Sequence, residues 1–551
     1  MIDTTGLGYR WRGAYDATAS YQRGDVVLKD GRVQRFDGAA FITIAEGQAS
    51  ATAPFALLRT GEPTPLVATP DQELAIGPDG LPHFAHDAGR RGTAAMALAQ
   101  VDFGNAASTI GPTDTNLALM RDGTVAIWGA GLGAGPVASR VQPGRIGFPE
   151  AAGRIVKLFA IRQTFYAVDD QGQLWGWGVN SNGQLGIGST VQIDRPVLLS
   201  GRGDLPADAR IREVSAGASY SAAFNALAIS EEGDVWFAGT NTTSLASGIP
   251  GTPTGNITAW ARIPLDVPIR TALTSGDANR PGTALIDTEG RVWFAGSAIF
   301  ASNINNTAGT YPTHALWALS TFKPVRAVKF QNNLRPDGLG GYVGNEYGSG
   351  VVFEDGTIAT RIAAARLVEI RDPAFGSFPA HQFIPDSRIT GVRDLLVFGG
   401  SRELAIALKE DGTVWATGAK ADLIPGYPNS NLWQQLSELG GQNIAMQGVS
   451  GVGTKALGFL RQDGSVAFIG NANSGHFGNG QSTTAWNGPA ILPGPVESFS
   501  LSGTLFDATN SLVSTFLMRD GAIYTAGFGG GFMLGNDPSG NARLTPSVVL
   551  T

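Results

Sequence analysis

The sequence predicts an all-β protein that closes into a β-propeller, and three observations support this prediction. A short phrase centred on a glycine returns eight times, its copies lie about one propeller blade apart, and no long stretch has helical hydrophobic periodicity. Repeats with such a period are units that bury their apolar faces against their neighbours. Eight blades are expected first, and seven blades plus an accessory hairpin are the alternative.

Each copy of the phrase predicts a β-hairpin. An acidic residue precedes a glycine, aliphatic residues stand four positions before and two positions after that glycine, and a second glycine usually ends the phrase. The copies are MRDGTVAIWG at 120–129, DDQGQLWGWG at 169–178, EEGDVWFAG at 231–239, TEGRVWFAG at 288–296, EDGTIATRI at 354–362, EDGTVWATG at 410–418, QDGSVAFIG at 462–470 and RDGAIYTAG at 519–527. Glycine supplies the positive φ of the turn, and the aliphatic residues predict a hairpin with one buried face.

The spacing of the phrases indicates a closed ring. Successive turn glycines, from Gly123 to Gly521, lie 49 to 66 residues apart. A four-stranded blade takes roughly 40–50 residues, so each unit is predicted to be a blade with some long connections. An open solenoid is the other arrangement, but a ring hides the sheet edges that a solenoid exposes. The fifth copy departs from the pattern, because Ile362 replaces its second glycine.

The second copy carries a family resemblance. It continues as LWGWGVNSNGQLGIGSTVQIDRPVLL, which resembles the repeat of the regulator of chromosome condensation family. Weaker echoes are GNANSGHFGNG at 470–480 and GFGGGFMLGNDPSG at 527–540. The resemblance covers about 93–551 and implies a β-propeller, usually of seven blades in that family.

Composition excludes several classes of function. A formal net charge of −7 with 15% charged residues leaves no basic field for a polyanion, so nucleic acid is not an expected partner. The absence of cysteine excludes disulfides, thiol catalysis and cysteine-bound metals. The opening MIDTTGLGYRWRGAYD predicts no signal peptide, and no apolar run approaches the ~20 residues of a membrane span, so no membrane insertion is expected.

Residues 1–44 are predicted to form a small β-module for attachment or carbohydrate binding. The pattern Trp11-x-Gly13-x-Tyr15, Tyr21 and GDVV at 24–27 resembles the chitin-binding-type modules of bacteriophage tail and fibre proteins. That resemblance implies Trp11, Tyr15 and Tyr21 as glycan or attachment contacts, because aromatic rings cover the apolar faces of sugars. The alternative is that these three aromatics are the core of the module.

Residues 45–92 are predicted to be a linker, and 93–551 the propeller. The linker is rich in Ala, Pro, Gly and Thr and has short extended pieces. An alternative is that ELAIGPDGLPHFA within it pairs as a small hairpin.

No catalytic residue, metal site or cofactor is predicted. His83 and His86 have no HExxH helix around them and are expected to be solvated, and the acids of the repeats are expected to form turns. The tripeptide Arg202-Gly203-Asp204 occurs in some adhesins, but it arises easily in a glycine-rich chain. The protein is therefore predicted not to be an enzyme, with a polysaccharide depolymerase as the alternative.

Three insertions are predicted to be recognition loops. The segments 240–260, 297–317 and 331–350 are rich in Asn, Thr, Gly and Tyr, a composition suited to adaptable contacts on a rigid scaffold. Their candidate contact residues are Trp260, Tyr311, Trp317, Tyr342 and Tyr347. The alternative is that the insertions are tolerated decoration.

These features favour a tail fibre or receptor-binding protein of a bacteriophage or phage-like particle. Such a protein would be made in the host cytoplasm and reside in the virion tail, with other tail proteins and a host surface polysaccharide as partners. Fibre proteins are often homotrimers, although no heptad segment here sets an oligomeric state. The alternatives are a polysaccharide-degrading propeller enzyme of a virion, and a cytosolic propeller that acts as an interaction hub or exchange factor.

Overall fold

The computed structural model shows an all-β chain. It describes residues 10–14, 18, 20, 25–29, 32–36, 41–46, 74–76, 82–84, 95–100, 115–120, 123–130, 139–161, 164–218, 224–241, 247–251, 255–274, 282–296, 311–316, 320–321, 323–336, 342–362, 384–398, 404–423, 427–451, 454–470, 475–482, 488–504, 511–528, 534 and 542–550. Within these ranges, no helix is long and apolar enough to cross a membrane.

Two small sheets come first in the chain. A four-stranded sheet has the order β1-β2-β3-β4, with β1 parallel to β2 and the other pairs antiparallel. Its strands are β1 (Arg10–Ala14), β2 (Asp25–Lys29), β3 (Arg32–Phe36) and β4 (Phe41–Glu46). A hairpin of β5 (Leu74–Ile76) and β6 (Pro82–Phe84) follows inside the predicted linker, in agreement with the alternative that ELAIGPDGLPHFA pairs.

The remaining strands form a series of antiparallel sheets, numbered here in chain order. Sheet 1 contains β7 (Ala95–Gln100), β8 (Thr115–Met120), β9 (Val125–Ala130) and β10 (Ser139–Ile146). Sheet 2 contains β11 (Ile155–Ile161), β12 (Thr164–Asp169), β13 (Leu174–Gly178) and β14 (Ile193–Leu198). Sheet 3 contains β15 (Ile211–Ala218), β16 (Phe224–Ser230), β17 (Val235–Asn241) and β18 (Gly255–Arg262). Sheet 4 contains β19 (Ile269–Thr274), β20 (Gly282–Asp287), β21 (Val292–Gly296) and β22 (Tyr311–Leu316).

The second half of the ring repeats this plan. Sheet 5 contains β23 (Val325–Pro336), β24 (Tyr342–Phe353), β25 (Ile358–Ile362) and β26 (Ile384–Asp386). Sheet 6 contains β27 (Val392–Phe398), β28 (Leu404–Lys409), β29 (Val414–Gly418) and β30 (Ser430–Gln435), with 3₁₀ turns at Lys420–Asp422 and Ser437–Leu439. Sheet 7 contains β31 (Asn443–Gly451), β32 (Thr454–Arg461) and β33 (Val466–Gly470). Sheet 8 contains β34 (Val496–Thr504), β35 (Ser511–Met518), β36 (Ile523–Gly527) and β37 (Arg543–Leu550).

The sheets close into a ring, which confirms the propeller. Neighbouring sheets contact each other in chain order, mostly through their innermost strands. Sheets 4 and 5 meet through β20 and β23, and β34 of sheet 8 contacts β7 of sheet 1. The described strands make seven four-stranded blades and the three-stranded sheet 7. In sheet 7 a single bridge between Ala467 and Pro489 stands where the other sheets have their fourth strand. The seven four-stranded blades agree with the seven-blade alternative, and the additional unit is the three-stranded sheet 7 rather than an accessory hairpin.

The repeated phrase forms the hairpin between the second and third strands, as predicted. All eight turn glycines have φ between 74° and 92°. The expectation of one buried face per hairpin was wrong, because every residue of β12, β13 and β17 is buried. Each sheet lies between two others in the ring, so its inner strands are covered on both faces. Exposed residues occur instead in outer strands such as β14, in which Pro196 is the one buried residue.

The apolar core consists of clusters between neighbouring sheets. Between sheets 7 and 8, the ring of Phe468 stacks on Phe477 with centroids 4.9 Å apart and meets Phe499 and Phe516 edge to face. Full burial of such a side chain contributes about 1.5–3 kcal/mol. Because each cluster joins two sheets, the ring is stabilised at its seams.

The outer strands protect their free edges with proline. Proline lacks the N–H that strand pairing requires, so it prevents another strand from adding to an edge. The prolines are Pro143, Pro196, Pro312, Pro385 and Pro546 in the outer strands of sheets 1, 2, 4, 5 and 8, and Pro489 at the bridge of sheet 7. Only β18 and β30 among the described outer strands lack a proline.

Candidate functional site

The glycine turns also join neighbouring sheets. The backbone N–H at the start of an inner strand donates to the carbonyl of the turn glycine in the preceding sheet, at 2.8–3.2 Å. These pairs are Ile211 with Gly172, Ile269 with Gly233, Val325 with Gly290, Val392 with Gly356, Asn443 with Gly412, and Val496 with Gly464. A Cβ added to Gly233 would lie 2.6 Å from the nitrogen of Ile269. The glycine is thus required by the joint as well as by the turn. We call this edge of the ring the turn rim.

A β-bulge occurs at the second residue of the innermost strand in every sheet of the ring. A bulge re-aims a side chain relative to its neighbours in the strand. The bulged residues are Met96, Val156, Arg212, Arg270, Arg326, Arg393, Ile444 and Glu497. Sheets 3 to 6 therefore place an arginine at the same point of the turn rim.

Two of these arginines hold the backbone of the next sheet. Arg212 Nη2 donates to the carbonyls of Ile269 at 2.9 Å and Arg270 at 2.5 Å. Arg270 Nη2 donates in the same way to the carbonyls of Val325 at 2.7 Å and Arg326 at 3.1 Å. The bulge arginine is thus a second connection between neighbouring sheets.

Two of the bulge arginines also meet a glutamate from the turn of the next sheet. Arg270 Nη1 lies 3.0 Å from Glu354 Oε1, and Arg326 Nη1 lies 2.5 Å from Glu410 Oε1. Both glutamates stand two positions before a turn glycine. Exposed pairs of this kind stabilise by about 0.2–1 kcal/mol each, so their main effect is to neutralise charge on the rim.

Two other acids at the turns are bound within their own turns. Asp169 Oδ1 accepts two backbone N–H groups of its own turn at 3.0 and 2.9 Å, and its Oδ2 accepts the indole N–H of Trp175 at 2.9 Å. Asp287 is bound similarly by Arg291 and Trp293. Burial alone would raise the pKa of Asp287, but the hydrogen bonds from Trp293 and Arg291 outweigh it and lower that pKa. These carboxylates are structural.

The segment after the third strand clasps the outer strand of the next sheet. A Cβ on Gly186 would lie 2.5 Å from the indole of Trp260 on β18, and Gly188 N–H donates to the carbonyl of Thr258 at 2.7 Å. Gly248 packs in the same way on His314, and Gly478 on Pro546. The segment 470–480, which resembles the family repeat more weakly, thus contacts the outer strand of the next sheet as the second copy does.

Trp260 is part of this clasp, so its prediction as a recognition residue was wrong. It lies on β18 and is 1% exposed, because the clasp and the following linker cover it. The tripeptide 202–204 belongs to that linker. Its arginine donates to Leu198 O at 2.6 Å, its glycine packs on the backbone of Trp260, and its aspartate accepts the N–H of Arg262 at 3.1 Å. The tripeptide therefore has a structural role.

His314 and His476 are structural too. His314 Nε2 lies 2.8 Å from the hydroxyl of Thr283, and burial lowers its pKa to about 3. His476 is buried beside Phe477. His83 lies on β6, while His86 falls outside the described residues. Among the residues that the structure describes, no group of three metal-binding side chains occurs.

The largest departure from the repeat lies at the opposite rim, in sheet 5. Segment 331–350 was predicted to be a loop, but its described residues, 331–336 and 342–350, belong to β23 and β24, strands of twelve residues each. Among the described residues, the third strand, β25, pairs with β24 as far as Gly348, so Tyr342–Tyr347 extends beyond this pairing by roughly 20 Å. We call the paired segments 332–336 and 342–347 the arm.

A bulge in the arm places its two tyrosines on one face. Asn332 pairs with Tyr347 and Pro336 pairs with Tyr342, and β24 has one extra residue between these pairs. Asn332 and Pro336 are four residues apart on a regular strand and share a face, so their partners share it as well. The sequence prediction of Tyr342 and Tyr347 as loop residues was wrong, because both are strand residues.

The other predicted contact residues are placed as follows. Tyr311 is the first residue of β22 and pairs with Gly296. Trp11 lies on β1, although its side chain is outside the described part of the chain. Tyr15, Tyr21 and Trp317 fall outside the described residues. Their roles in binding stay predictions.

Comparison with known proteins supports the propeller repeat. Residues 171–224 match the regulator of chromosome condensation (RCC1) repeat. This match spans the turn, the clasp and the outer strand of sheet 2 and the inner strand of sheet 3. It agrees with the resemblance seen in the sequence. No comparison supports the resemblance of residues 1–44 to a chitin-binding module, which stays a prediction.

Several solved structures are similar at low identity. The chain is 15% identical to human WBSCR16, covering 67% of this chain and 91% of that one, with a TM-score of 0.45. It is 17% identical to yeast RCC1 (Prp20) in a complex with Kap60, covering 68% and 83%, with a TM-score of 0.43. It is 16% identical to Prp20p from Saccharomyces cerevisiae, covering 69% of this chain and 87% of that one, with a TM-score of 0.44. No partner or activity of those proteins is inferred for this chain from these similarities.

Proposed function

We propose that this protein is a non-catalytic β-propeller that binds another protein, with the arm as part of its binding surface. The observation that carries the proposal is the arm itself. The ring repeats the same turns, bulges and joints, whereas the arm is a strand pair that extends past the described residues of the other two strands of its sheet. Such an addition to a rigid scaffold is where recognition is expected.

The chemistry of the described residues supports binding rather than catalysis. Asp169 and Asp287 are held by their turns, and His314 is buried with a lowered pKa. A general acid or base needs a titratable group that can reach a substrate. The match of residues 171–224 to the RCC1 repeat also supports an interaction role.

The face shared by Tyr342 and Tyr347 is the proposed contact surface. Pro336 and Asn332 share that face, whereas Arg335 and Glu346 lie on the other face of the arm. Tyrosine is enriched in protein interfaces because it combines a large apolar ring with a polar tip. The aromatic face therefore suits a protein partner better than the charged face.

Two matched double variants test this proposal. Tyr342→Ser with Tyr347→Ser alters the aromatic face, and Arg335→Ser with Glu346→Ser alters the opposite face. Partners are captured by cross-linking from cells that make the protein and quantified by mass spectrometry. We expect the tyrosine variant to lose a specific partner that the other variant retains. Equal recovery of every partner by both variants and the wild type would refute the proposal.

Narrower functions are separated by direct assays. Stimulated nucleotide release from a small GTPase would identify an exchange factor. Co-purification with the tail proteins of a virus-like particle would identify a tail fibre. Such a fibre would be made in the host cytoplasm and reside in the virion tail. Release of new reducing ends from host surface polysaccharide would identify a depolymerase. The interaction hub has the better support, because the tail-fibre hypothesis rests on the sequence of residues 1–44 and on loop composition.

A further inference from the structure

Arg393 on the turn rim lacks the carboxylate that Arg270 and Arg326 have. Arg212 also has no carboxylate, but its guanidinium donates to backbone carbonyls of the next sheet. Arg270 and Arg326 each meet a glutamate of the next sheet, Glu354 at 3.0 Å and Glu410 at 2.5 Å. Arg393 is the bulged residue of the following sheet and stands at the same point of its innermost strand. The series of arginine–carboxylate pairs therefore ends at Arg393.

The residue opposite Arg393 in this series is Gln462. Glu354, Glu410 and Gln462 each stand two positions before a turn glycine. Their backbone N–H groups donate to the residue just before the inner strand of their own sheet, at 2.9, 2.8 and 2.9 Å respectively. The three positions are therefore equivalent in the fold. Sheet 7 has a neutral amide where sheets 5 and 6 have a carboxylate.

Neighbouring acids do not replace the missing carboxylate. Asp394 follows Arg393 in the strand, but its Oδ1 pairs with Lys329 Nζ at 2.8 Å. Asp463 follows Gln462, and its Oδ1 accepts the N–H and the hydroxyl of Ser465 at 2.8 and 2.7 Å. The partly buried guanidinium of Arg393 makes no hydrogen bond or ion pair within the described part of the chain. Its donors remain available for a planar carboxylate.

We infer that Arg393 binds a glutamate or aspartate side chain of a partner protein. That carboxylate would stand to Arg393 as Glu354 stands to Arg270 and Glu410 to Arg326. The partner segment is acidic and lies on the turn rim beside sheets 6 and 7. The chain has a formal net charge of −7, so an acidic segment is repelled by the molecule as a whole. Binding of such a segment therefore requires a local cationic site. The inference rests on the proposed function only in that the carboxylate comes from a protein.

Fluorescence anisotropy with a labelled octaglutamate peptide tests the site. Measurements are made in ~20 mM salt, where the screening length is about 20 Å. We expect Arg393→Gln to weaken binding by up to about five-fold, as loss of one exposed ion pair does. Gln462→Glu should weaken it similarly, because the new carboxylate occupies Arg393 from within the chain. Glu410→Gln should strengthen binding, because it frees Arg326.

A matched control separates the site from the general effect of charge. Arg195 is exposed on β14, and Arg195→Gln removes the same charge away from the rim. The inference is overturned if Arg195→Gln and Arg393→Gln weaken binding equally, if Gln462→Glu has no effect, or if the wild type shows no saturable binding. Displacement of the peptide by inorganic phosphate at equal carboxylate and phosphate concentrations would indicate a general anion site and would also overturn it.

The result is independent of the arm experiment. The tyrosine variant of the arm leaves the turn rim unchanged, so it should bind octaglutamate as the wild type does. If that variant retains every partner while Arg393→Gln loses octaglutamate, the arm proposal fails and the site on the turn rim stands. The opposite pattern refutes the site and leaves the arm proposal in place.

Discussion

Substitution of Gly233 by alanine should open the joint between sheets 3 and 4. Gly233 has φ of 92°, and a Cβ there would lie 2.6 Å from Ile269 N and 2.8 Å from Pro268 Cα. The left-handed backbone costs an alanine about 1–2 kcal/mol. The clash is with backbone atoms, so the chain of sheet 4 must move, which adds about 1–3 kcal/mol. The total expected loss is about 2–5 kcal/mol, and it includes the hydrogen bond between Ile269 and Gly233.

Gly251 provides the matched control for this substitution. Its φ is 73°, but a Cβ there would meet no atom within 4 Å. Gly251→Ala should therefore cost only the backbone term of about 1–2 kcal/mol. Urea unfolding followed by tryptophan fluorescence measures both variants against the wild type. If the two variants are equally destabilised, the contact between the turn glycine and the next sheet contributes nothing, and the role assigned to the joint is wrong.

Three further predictions concern buried polar groups and rim charges. Lys420 is 1% exposed and donates to the hydroxyl and carbonyl of Ser430, so Lys420→Met should cost about 1–3 kcal/mol of unfolding free energy; unchanged urea unfolding would contradict this. Burial lowers the pKa of His314 from 6.5 to about 3, so the unfolded state binds the proton first and stability is lost as pH falls between these values, by at most ~1.4 kcal/mol per pH unit. His314→Gln should remove that part of the pH dependence, and an identical profile would refute the assignment. A double-mutant cycle on Arg326 and Glu410 should give a coupling below about 1 kcal/mol that disappears in ~1 M salt; a coupling insensitive to salt would rule out an exposed ion pair.

The fold could be predicted from the sequence because its signals are local. The Asp-Gly turns and the flanking aliphatic residues lie within ten positions of each other, and all eight formed the expected hairpins. The second role of a glycine such as Gly233 was not predictable in this way. Its contact with Pro268 and Ile269 belongs to the packing of one sheet on the next, which a single phrase does not contain.

The candidate binding surfaces were harder to predict from the sequence, because the composition of a segment did not indicate its conformation. Segment 240–260 is polar for most of its length, yet it ends in Trp260, which the clasp covers. Segment 331–350 is rich in Gly and Asn, but it continues the strand pair of sheet 5. In both cases long-range pairing determined the structure against the local preference.

The bulge arginines do have a sequence pattern, but an alignment centred on the repeated turn phrase does not show it. An aliphatic residue followed by arginine recurs at 211–212, 269–270, 325–326 and 392–393. Alignment of the inner strands, rather than of the turns, brings these four pairs together. The partners Glu354 and Glu410 could not be assigned from it, because each lies 84 residues beyond its arginine.

The joints between sheets have a consequence for how such a ring can change its size. Each of the six joints described above uses the same two backbone groups, an N–H at the start of one inner strand and a turn-glycine carbonyl of the sheet before it. Backbone N–H and carbonyl groups are the same in nearly every residue, so this hydrogen bond does not depend on which two sheets it connects. Duplication or loss of one unit would leave every other joint with a correct partner. This backbone pairing would therefore tolerate a change of ring size by whole units. Sheet 7, which has three strands among the described residues, keeps the same joint on both of its sides.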